Sequence, residues 1–290
     1  MAYSFHGGIH PNDQKAATNK KAIEPMPAPE KVYLPVSMHI GAPAKPVVKK
    51  GDHVYMGQLV AEAAGNVSAN IHATVSGVVA DVAPHPHPNG TKVLTVIIEN
   101  DYQDQPDPSL QPLNADGMTP EQIAEAIREA GIVGHGGATF PAHVKIQSAV
   151  GKVDTLIING AECEPYITSD HRVMLEQTQD VIDGIKILIK ALGLHRGLLA
   201  VEENKADVFG VVQKLLPPDG SIELCRLKTK YPQGAEKQLI YALTGRQVPS
   251  GKLPADAGCA VFNVDTAATV ARKFKTGMND VRRIVTVSGS

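Results

Sequence analysis

Four short stretches of the chain hold residues whose types and spacing suit chemistry. In Gly131-Ile132-Val133-Gly134-His135-Gly136-Gly137-Ala138-Thr139-Phe140-Pro141, glycine fills three of the four positions from 134 to 137. A backbone without side chains can approach a ligand closely and can turn through positive φ. A helix is expected to start near Pro141, where exposed N–H groups suit an anion such as phosphate, and Lys145 one turn further in adds positive charge. The loop follows a predicted helix rather than a strand and lacks a Gly-Lys-Ser/Thr run. It is therefore neither the usual dinucleotide fingerprint nor a P-loop. Spacing alone leaves two readings open, a cofactor loop and a plain glycine-rich turn.

The second stretch, Asn159-Gly160-Ala161-Glu162-Cys163-Glu164-Pro165-Tyr166, directly follows a predicted strand. Open α/β sheets bind ligands outside the carboxyl ends of their strands. Asn159 offers donor and acceptor groups to the edge of a heterocycle. Glu162 and Glu164 suit ribose or ribityl hydroxyls, with a solvated acidic loop as the other reading. Cys163 sits between two carboxylates, which raise a thiol pKa and make a poor nucleophile, so no catalytic side chain is expected. Tyr231-Pro232-Gln233-Gly234-Ala235-Glu236 is a third strand-to-helix junction, and Phe262-Asn263-Val264-Asp265-Thr266 a fourth. Strand-end loops of one sheet converge on one face, and that convergence says more than any single loop.

The elements that must position these loops alternate. Thr119-Pro120-Glu121-Gln122 is a capping-box helix start, followed by Ile123, Ala126, Ile127 and Ala130 at helical spacing and ended by Gly131. Strands are expected at Val153–Asn159, Gly197–Glu202, Ile222–Leu227 and Cys259–Asn263. Helices are expected at Ser169–Leu192, Asn204–Leu216, Gly234–Leu243 and Asp265–Phe274. Such alternation means an α/β domain with a mainly parallel sheet, taken as residues 115–275. A final strand is expected within Arg283–Ser288, opening another segment at 280–290.

Upstream the pattern differs. Residues 1–30, rich in Pro, Lys and Asn, are expected to form an extended arm with no core of its own. Its Phe5-His6-Gly7-Gly8-Ile9-His10-Pro11 segment is unusual, and the His6/His10 pair reads either as metal ligands or as part of a solvated arm. Residues 31–105 alternate short β-rich runs (Val32–Pro35, Pro46–Val48, His53–Tyr55, Leu59–Ala63, Ala73–Val75, Val78–Val82 and Val93–Glu99) with turn signals, which indicates a small barrel or sandwich. Val48–Val54 with Gly57-Gln58, and later Ala73–Val79, resemble the two halves of a lipoyl-type barrel-sandwich hybrid. The tip lysine of a carrier is missing, and His72-Ala73-Thr74 stands there instead. His85-Pro86-His87-Pro88 reads as a structural turn before a metal site, and His171 and His195 as surface or helix-end residues.

Composition narrows the function classes. Lys and Arg number 28 against 30 Asp and Glu, a formal charge of −2, which gives no reason to expect nucleic acid. No apolar run approaches the roughly 20 residues of a membrane span, and the first residues lack the apolar core of a secretory signal. Three scattered cysteines, Cys163, Cys225 and Cys259, suit a reducing compartment. With no Trp and aromatics at 4%, the core must be aliphatic.

Taken together, Phe5–Pro11, Lys50–Val54, Gly134–Pro141, Asn159–Tyr166, Tyr231–Leu239, Thr244–Pro249 and Asn263–Thr266 resemble the RnfC family of bacterial Rnf electron-transport complexes over nearly the whole chain. The part from about residue 115 more distantly resembles the flavoprotein subunit of respiratory complex I. The resemblance implies a barrel-sandwich-hybrid β domain, a Rossmann-like α/β domain binding FMN and NADH, and the start of a β-grasp segment. It also implies hydride transfer from NADH to the flavin, onward electron transfer, and a peripheral place among partner subunits on the cytoplasmic side of the inner membrane. Carried over by residue, Gly134, Gly136 and Gly137 lie against the flavin and its phosphate region, and Lys145 neutralises charge. Asn159 and Glu162 hold the isoalloxazine or ribityl groups, Gly234 belongs to a loop around the flavin, and Asn263 and Thr266 take the phosphate end. Phe140, Glu164 and Glu236 face the nicotinamide nucleotide. His135 replaces an arginine of the relative, Ala161 an acidic residue and Tyr166 a small one, which puts the flavin site or its nucleotide preference in question. The family's two four-iron four-sulfur clusters need four thiolates each, which three cysteines cannot supply. A non-catalytic docking module of the same complex is the competing reading, and a lipoyl-type carrier a third.

Overall fold

The computed structural model describes residues 2–289. Met1 and Ser290, the outermost residues of the expected arm and terminal segment, lie outside the described residues. The β-rich region folds into β1 (Lys31–Pro35), β2 (Lys45–Pro46), β3 (His53–Val54), β4 (Leu59–Glu62), β5 (Ile71–His72), β6 (Gly77–Pro86) and β7 (Lys92–Asn100). They form two small antiparallel sheets, β1-β7-β6-β3 and β2-β4-β5. Leu34, Val54, Val60, Ile71, Val79, Val96 and Ile98 fill the space between them. The strand expected at Ala73–Val75 is displaced to Ile71–His72. Ala73 is instead tied to the β3–β4 turn, its N–H donating to Gln58 O (2.8 Å) and its carbonyl accepting from Gly57 N–H (2.8 Å).

This domain packs against the next one at the position where a carrier would expose its lysine. His72 is buried, and a Cβ added at Gly131 would meet Asn70 O at 2.3 Å and the His72 ring at 3.2 Å. Burial, reinforced by the Lys273 charge, pushes His72 down to about 4, so the ring is neutral in the interface. Ile40 N–H donates to Thr139 O (3.3 Å), and Asn279 Nδ2 to Gly57 O (2.8 Å).

The second domain runs α1 (Pro120–Glu129), α2 (Ala142–Ala149), β8 (Thr155–Gly160), α3 (Ser169–Glu176), α4 (Thr178–Ala191), β9 (Gly197–Glu202), α5 (Ala206–Leu215), β10 (Ile222–Leu227), α6 (Glu236–Thr244), β11 (Cys259–Asn263) and α7 (Val264–Thr276). The capping box forms as expected, Thr119 Oγ1 accepting from Gln122 N–H and Gln122 Oε1 from Thr119 N–H. The helix expected over Ser169–Leu192 is two helices. Gln177 leaves helical geometry, the Thr178 hydroxyl bonds back to Met174 O (2.6 Å), and Arg272 of α7 donates to the Gln177 side chain (2.6 Å).

The four strands are parallel in the order β10-β9-β8-β11. Along β8, Leu156 and Ile158 face the larger core with α1, α4 and α7, while Ile157 faces the smaller one with α6. Helices α4 and α7 approach so closely that a Cβ at Gly184 would sit 1.8 Å from Ala267 O. Strand order reverses between β8 and β11, and such a switch point opens a crevice at the carboxyl ends.

The terminal strand expected within Arg283–Ser288 is not formed among the described residues. Its polar groups are committed elsewhere: Thr286 Oγ1 accepts from Thr168 N–H (3.0 Å), and Arg283 donates to His135 O. The N-terminal arm is likewise not a free extension. Phe5 and Lys15 are buried, and Tyr3 and Ile9 pair with the chain at Leu227 and Tyr231.

Candidate nucleotide site

Asn159 is the penultimate residue of β8 and Asn263 the last of β11, and the two are direct partners in the parallel ladder. The switch point is therefore flanked by a pair of asparagines. Asn159 Nδ2 donates to Gly234 O (2.9 Å) and its Oδ1 accepts from Ala161 N–H (3.1 Å), which ties the loops after β8 and β10 together. Asn263 caps α7, its Oδ1 accepting from Asp265 N–H (2.8 Å) and Thr266 N–H (3.3 Å), and its Nδ2 donates to Asp170 Oδ2 (2.6 Å). Both asparagines fix the floor of the crevice.

The glycine-rich loop lies over this floor. Val133 and Pro141 bridge its ends, and Gly134 N–H donates to Phe140 O (2.8 Å). Gly136 and Gly137 at the tip are exposed; a Cβ at Gly136 would reach Asn263 Cβ at 3.5 Å, and one at Gly137 would meet nothing within 4 Å, although its φ of +108° excludes other residues without strain. The tip thus presents bare backbone beside the switch point.

His135 anchors the loop from beneath. Its N–H donates to Thr266 Oγ1 (2.8 Å), Nδ1 bonds Asp265 Oδ2 (2.8 Å) and Nε2 bonds Asp280 Oδ2 (3.1 Å). Burial pulls the imidazole pKa down, but the two carboxylates outweigh it and the net shift is upward. Asp265 moves the other way: burial is its largest single influence, but the His135 bond and charge together with Arg272 and Arg283 outweigh it and hold the carboxyl below its ordinary value. The two carboxylates thus favour the protonated ring, and His135 is used within the loop's own scaffold. Thr266, expected at the phosphate end, is fully buried under that loop.

The remaining expected residues divide by exposure. Lys145 Nζ donates to Val261 O (2.8 Å) and pairs with Glu236 (3.5 Å), so two residues expected on different ligand sides are joined across β11. The Glu162 carboxylate is buried, accepting from Asp170 N–H (2.6 Å) and His171 N–H (3.4 Å) at the start of α3. Burial pushes Glu162 upward despite Lys205 and Lys15, and Asp170 rises with it through burial and the Glu162 charge. Glu164 is exposed, Phe140, Gly234 and Glu236 are half-buried, and these four with Gly136 and Gly137 make the accessible rim. Cys163 is buried and accepts from Gly234 N–H (3.2 Å). Burial first, then Glu164, pushes its thiol up to about 11, so the expected inertness holds with burial as the larger cause. His171 is a helix-end residue, in the first turn of α3, but not a surface one; it is buried and bonds Asp207 (2.8 Å).

Sequence reasoning missed three buried lysines under this face. Lys205 Nζ donates to Ala161 O and pairs with Glu202 (3.5 Å), Lys230 Nζ donates to Phe5 O and Gly7 O, and Lys15 Nζ donates to Glu162 O and Glu164 O (2.9 Å each) and to Ile167 O. Lysine side chains are mostly solvated, and nothing in the local sequence sets these three apart from their exposed counterparts.

Comparison with known proteins agrees with this division of the chain. Residues 127–272 match the Nuo51 FMN-binding domain, and residues 3–103 match the RnfC barrel sandwich hybrid domain. The chain is 48% identical over 288 residues to the C subunit of the Na(+)-translocating ferredoxin:NAD(+) oxidoreductase complex of Acetobacterium woodii, covering 99% of this chain and 65% of that protein. It is 46% identical to the C subunit of the proton-translocating ferredoxin:NAD(+) oxidoreductase complex of Clostridium ljungdahlii, covering 100% of this chain and 64% of the relative. Against the C subunit of the ion-translocating oxidoreductase complex of Rhodobacter capsulatus it is 43% identical, covering 100% of this chain and 56% of the relative. The chain thus spans less than two thirds of the length of these relatives. Among solved structures, the NAD+-reducing [NiFe]-hydrogenase in its H2-reduced state superposes with a TM-score of 0.50 at 21% identity, over 57% of this chain and 32% of that one, a likeness of fold.

Proposed function

The chain belongs to the RnfC family, with an RnfC barrel sandwich hybrid domain followed by an Nuo51 FMN-binding domain, and we propose that it is the NADH-oxidising flavin module of an ion-translocating electron-transport complex. The observation that carries this reading is the switch point itself: Asn159 and Asn263 are paired at its floor, and the exposed backbone of Gly136 lies beside Asn263, with the open Gly137 next to it in the chain. A flat heterocycle with a phosphate tail needs such a surface, free of Cβ atoms and backed by amide groups. The residues present fit FMN on that ground. FMN, when bound, supplies hydride acceptance from NADH and release of electrons one at a time.

In this reading the protein binds and orients. Gly134, Gly136 and Gly137 let the backbone approach the flavin, and Asn159 and Asn263 set the spacing of the walls. The buried Thr266 fixes the loop rather than the ligand, because it is fully shielded and its hydroxyl oxygen accepts from His135 N–H. Lys145, tethered to Glu236, holds charge balance at the edge of β11. Phe140, Glu164, Gly234 and Glu236 line the side from which the nicotinamide nucleotide approaches. Hydride transfer requires no side chain to act as an acid or base, because that chemistry belongs to the flavin. Electrons leave for an iron–sulfur acceptor that Cys163, Cys225 and Cys259, all buried and free, do not ligate. Partner subunits hold the module at the cytoplasmic face of the membrane. Among the described residues, no helix is long and apolar enough to cross that membrane.

The test is reconstitution. Folded chain mixed with FMN should quench flavin fluorescence at one equivalent, and NADH added without oxygen should bleach the flavin absorbance band. A folded chain that leaves FMN fluorescence unchanged would overturn the reading in favour of a docking module.

A further inference from the structure

The N-terminal arm lies within the stretch that matches the barrel domain, yet it binds the α/β domain. Tyr3 pairs in parallel with the end of β10, its N–H donating to Arg226 O (2.8 Å) and its carbonyl accepting from Lys228 N–H (2.9 Å). Ile9 and Tyr231 exchange both backbone bonds (2.8 and 2.9 Å). Between these points Phe5 is buried with the Lys230 ammonium over its ring at 3.9 Å. Gly8 has φ +86°, and a Cβ there would meet Tyr231 O at 2.9 Å. The arm then crosses to the loop after β8. Asp13 O accepts from Tyr166 N–H (2.8 Å), and Thr18 and Thr168 bond through their hydroxyls (2.8 Å).

Lys15 is the centre of this second contact. Its side chain is 5% exposed, and its ammonium gathers the carbonyls of Glu162, Glu164 and Ile167, with the Glu162 carboxylate at 3.9 Å. Three donors meeting three carbonyls saturate a lysine. The loop they hold needs holding, because Glu162 and Tyr166 have φ of +47° and +69°, conformations that cost a non-glycine residue free energy. The glycine-rich loop, by contrast, takes its support from α7 and Asp280 and makes none of these contacts.

We propose that Lys15 is a positioning residue for the nicotinamide-nucleotide side of the site, and that the arm is a wall of that site which sets the loop carrying Glu164 without setting the flavin side. The proposal rests on the flavin–NADH reading for its ligands, while the brace itself is readable without them. It divides the crevice into a half built by the α/β domain alone and a half completed from the other end of the chain.

The test compares the full chain with its Lys15→Met and Gly8→Ala variants. In ligand-free protein, amide hydrogen exchange at Tyr166 should rise at least about tenfold in Lys15→Met, as for a local opening, with the amides of β8 and β9 unchanged. Gly8→Ala should instead raise exchange at Tyr231, whose N–H bonds Ile9, and spare Tyr166. NADH titration should show affinity falling about tenfold in Lys15→Met, the scale of a misplaced binding group, while FMN affinity changes less than about threefold. Unchanged exchange at Tyr166, a rise spread through β8 and β9, or equal losses for FMN and NADH would each overturn the proposal. If wild-type chain binds neither ligand, the flavin–NADH reading fails and the assigned nucleotide role fails with it. Localised exchange would then leave Lys15 as a brace of the loop alone, so the two failures are told apart.

Discussion

The two domains bury different things. Between the sheets of the β domain the core is aliphatic, and its buried polar groups are small or neutral: Ser68, Ser76, Thr95 and a neutral His72. The α/β domain buries Lys15, Lys205, Lys230, Glu162, Glu202, Asp265 and His135 at or under the carboxyl ends of its strands, and one further lysine, Lys273, in the last turn of α7. Burying a charge costs free energy unless a partner offsets it. A chain that does so repeatedly at one end of one sheet, and not in the neighbouring core, has placed its most demanding interactions where loops must keep a fixed shape. The β domain needs only to be filled, whereas the strand-end face needs to be held.

That contrast can be broken by mutation, and the largest effect should come from Lys205→Met. It leaves the Glu202 carboxylate buried without its cation, and Glu202 is already pushed up by burial. Urea denaturation should show a loss of ~3–5 kcal/mol, together with weaker NADH binding. In the β domain, Ile98→Ala should cost ~2–5 kcal/mol by opening a cavity. Its signature should be the opposite one, lost stability with ligand affinities unchanged in the protein that remains folded. Equal ligand effects from the two variants would erase the distinction between a filled domain and a held one.

Asp280→Asn sharpens the comparison through pH. The folded pKa of His135 lies above its ordinary value of about 6.5, so stability from the network is fully present below that pH and is lost as pH rises through the folded pKa. The substitution should cost ~1–3 kcal/mol at pH 6 and progressively less in alkaline solution, followed by denaturation midpoints across pH. The Glu162 and Asp170 carboxyls are raised instead, so the folded chain binds more protons than the unfolded one above the ordinary carboxylate range of about 4. Their contribution to stability falls as pH rises towards neutral, and Asp170→Asn should flatten that slope. The smallest effect belongs to the exposed Lys31–Glu99 pair on the β domain (3.2 Å). Glu99→Ala should leave the denaturation midpoint within experimental scatter, because exposed pairs contribute little.

Some of this was legible beforehand and some was not, for local reasons. The helix start at Thr119 and the strands at Gly197–Glu202 and Cys259–Asn263 lie where capping and apolar periodicity place them. The break at Gln177 does not show in the sequence, because the residue that pins it, Arg272, is distant in the chain. The strand expected within Arg283–Ser288 has alternating β-formers, but its polar groups serve the glycine-rich loop and Thr168. The four loops could be named individually, yet their division into exposed rim and buried scaffold could not. Glu162 and Glu164 look alike in sequence, and only one faces solvent.

The sequence by itself determined the alternation of strands and helices in the α/β domain, the aliphatic core and the family, since these follow from periodicity, caps and motifs that are local in the chain. The tertiary structure alone decided where the charges went. It placed Asn159 opposite Asn263 at the point where strand order reverses, closed His135 between Asp265 and Asp280, and brought Lys15 across more than a hundred residues to the carbonyls after β8. The physical reason is that the cost of a buried charge is offset only by partners in space, and a chain's local pattern carries no information about which distant carbonyl or carboxylate will be there.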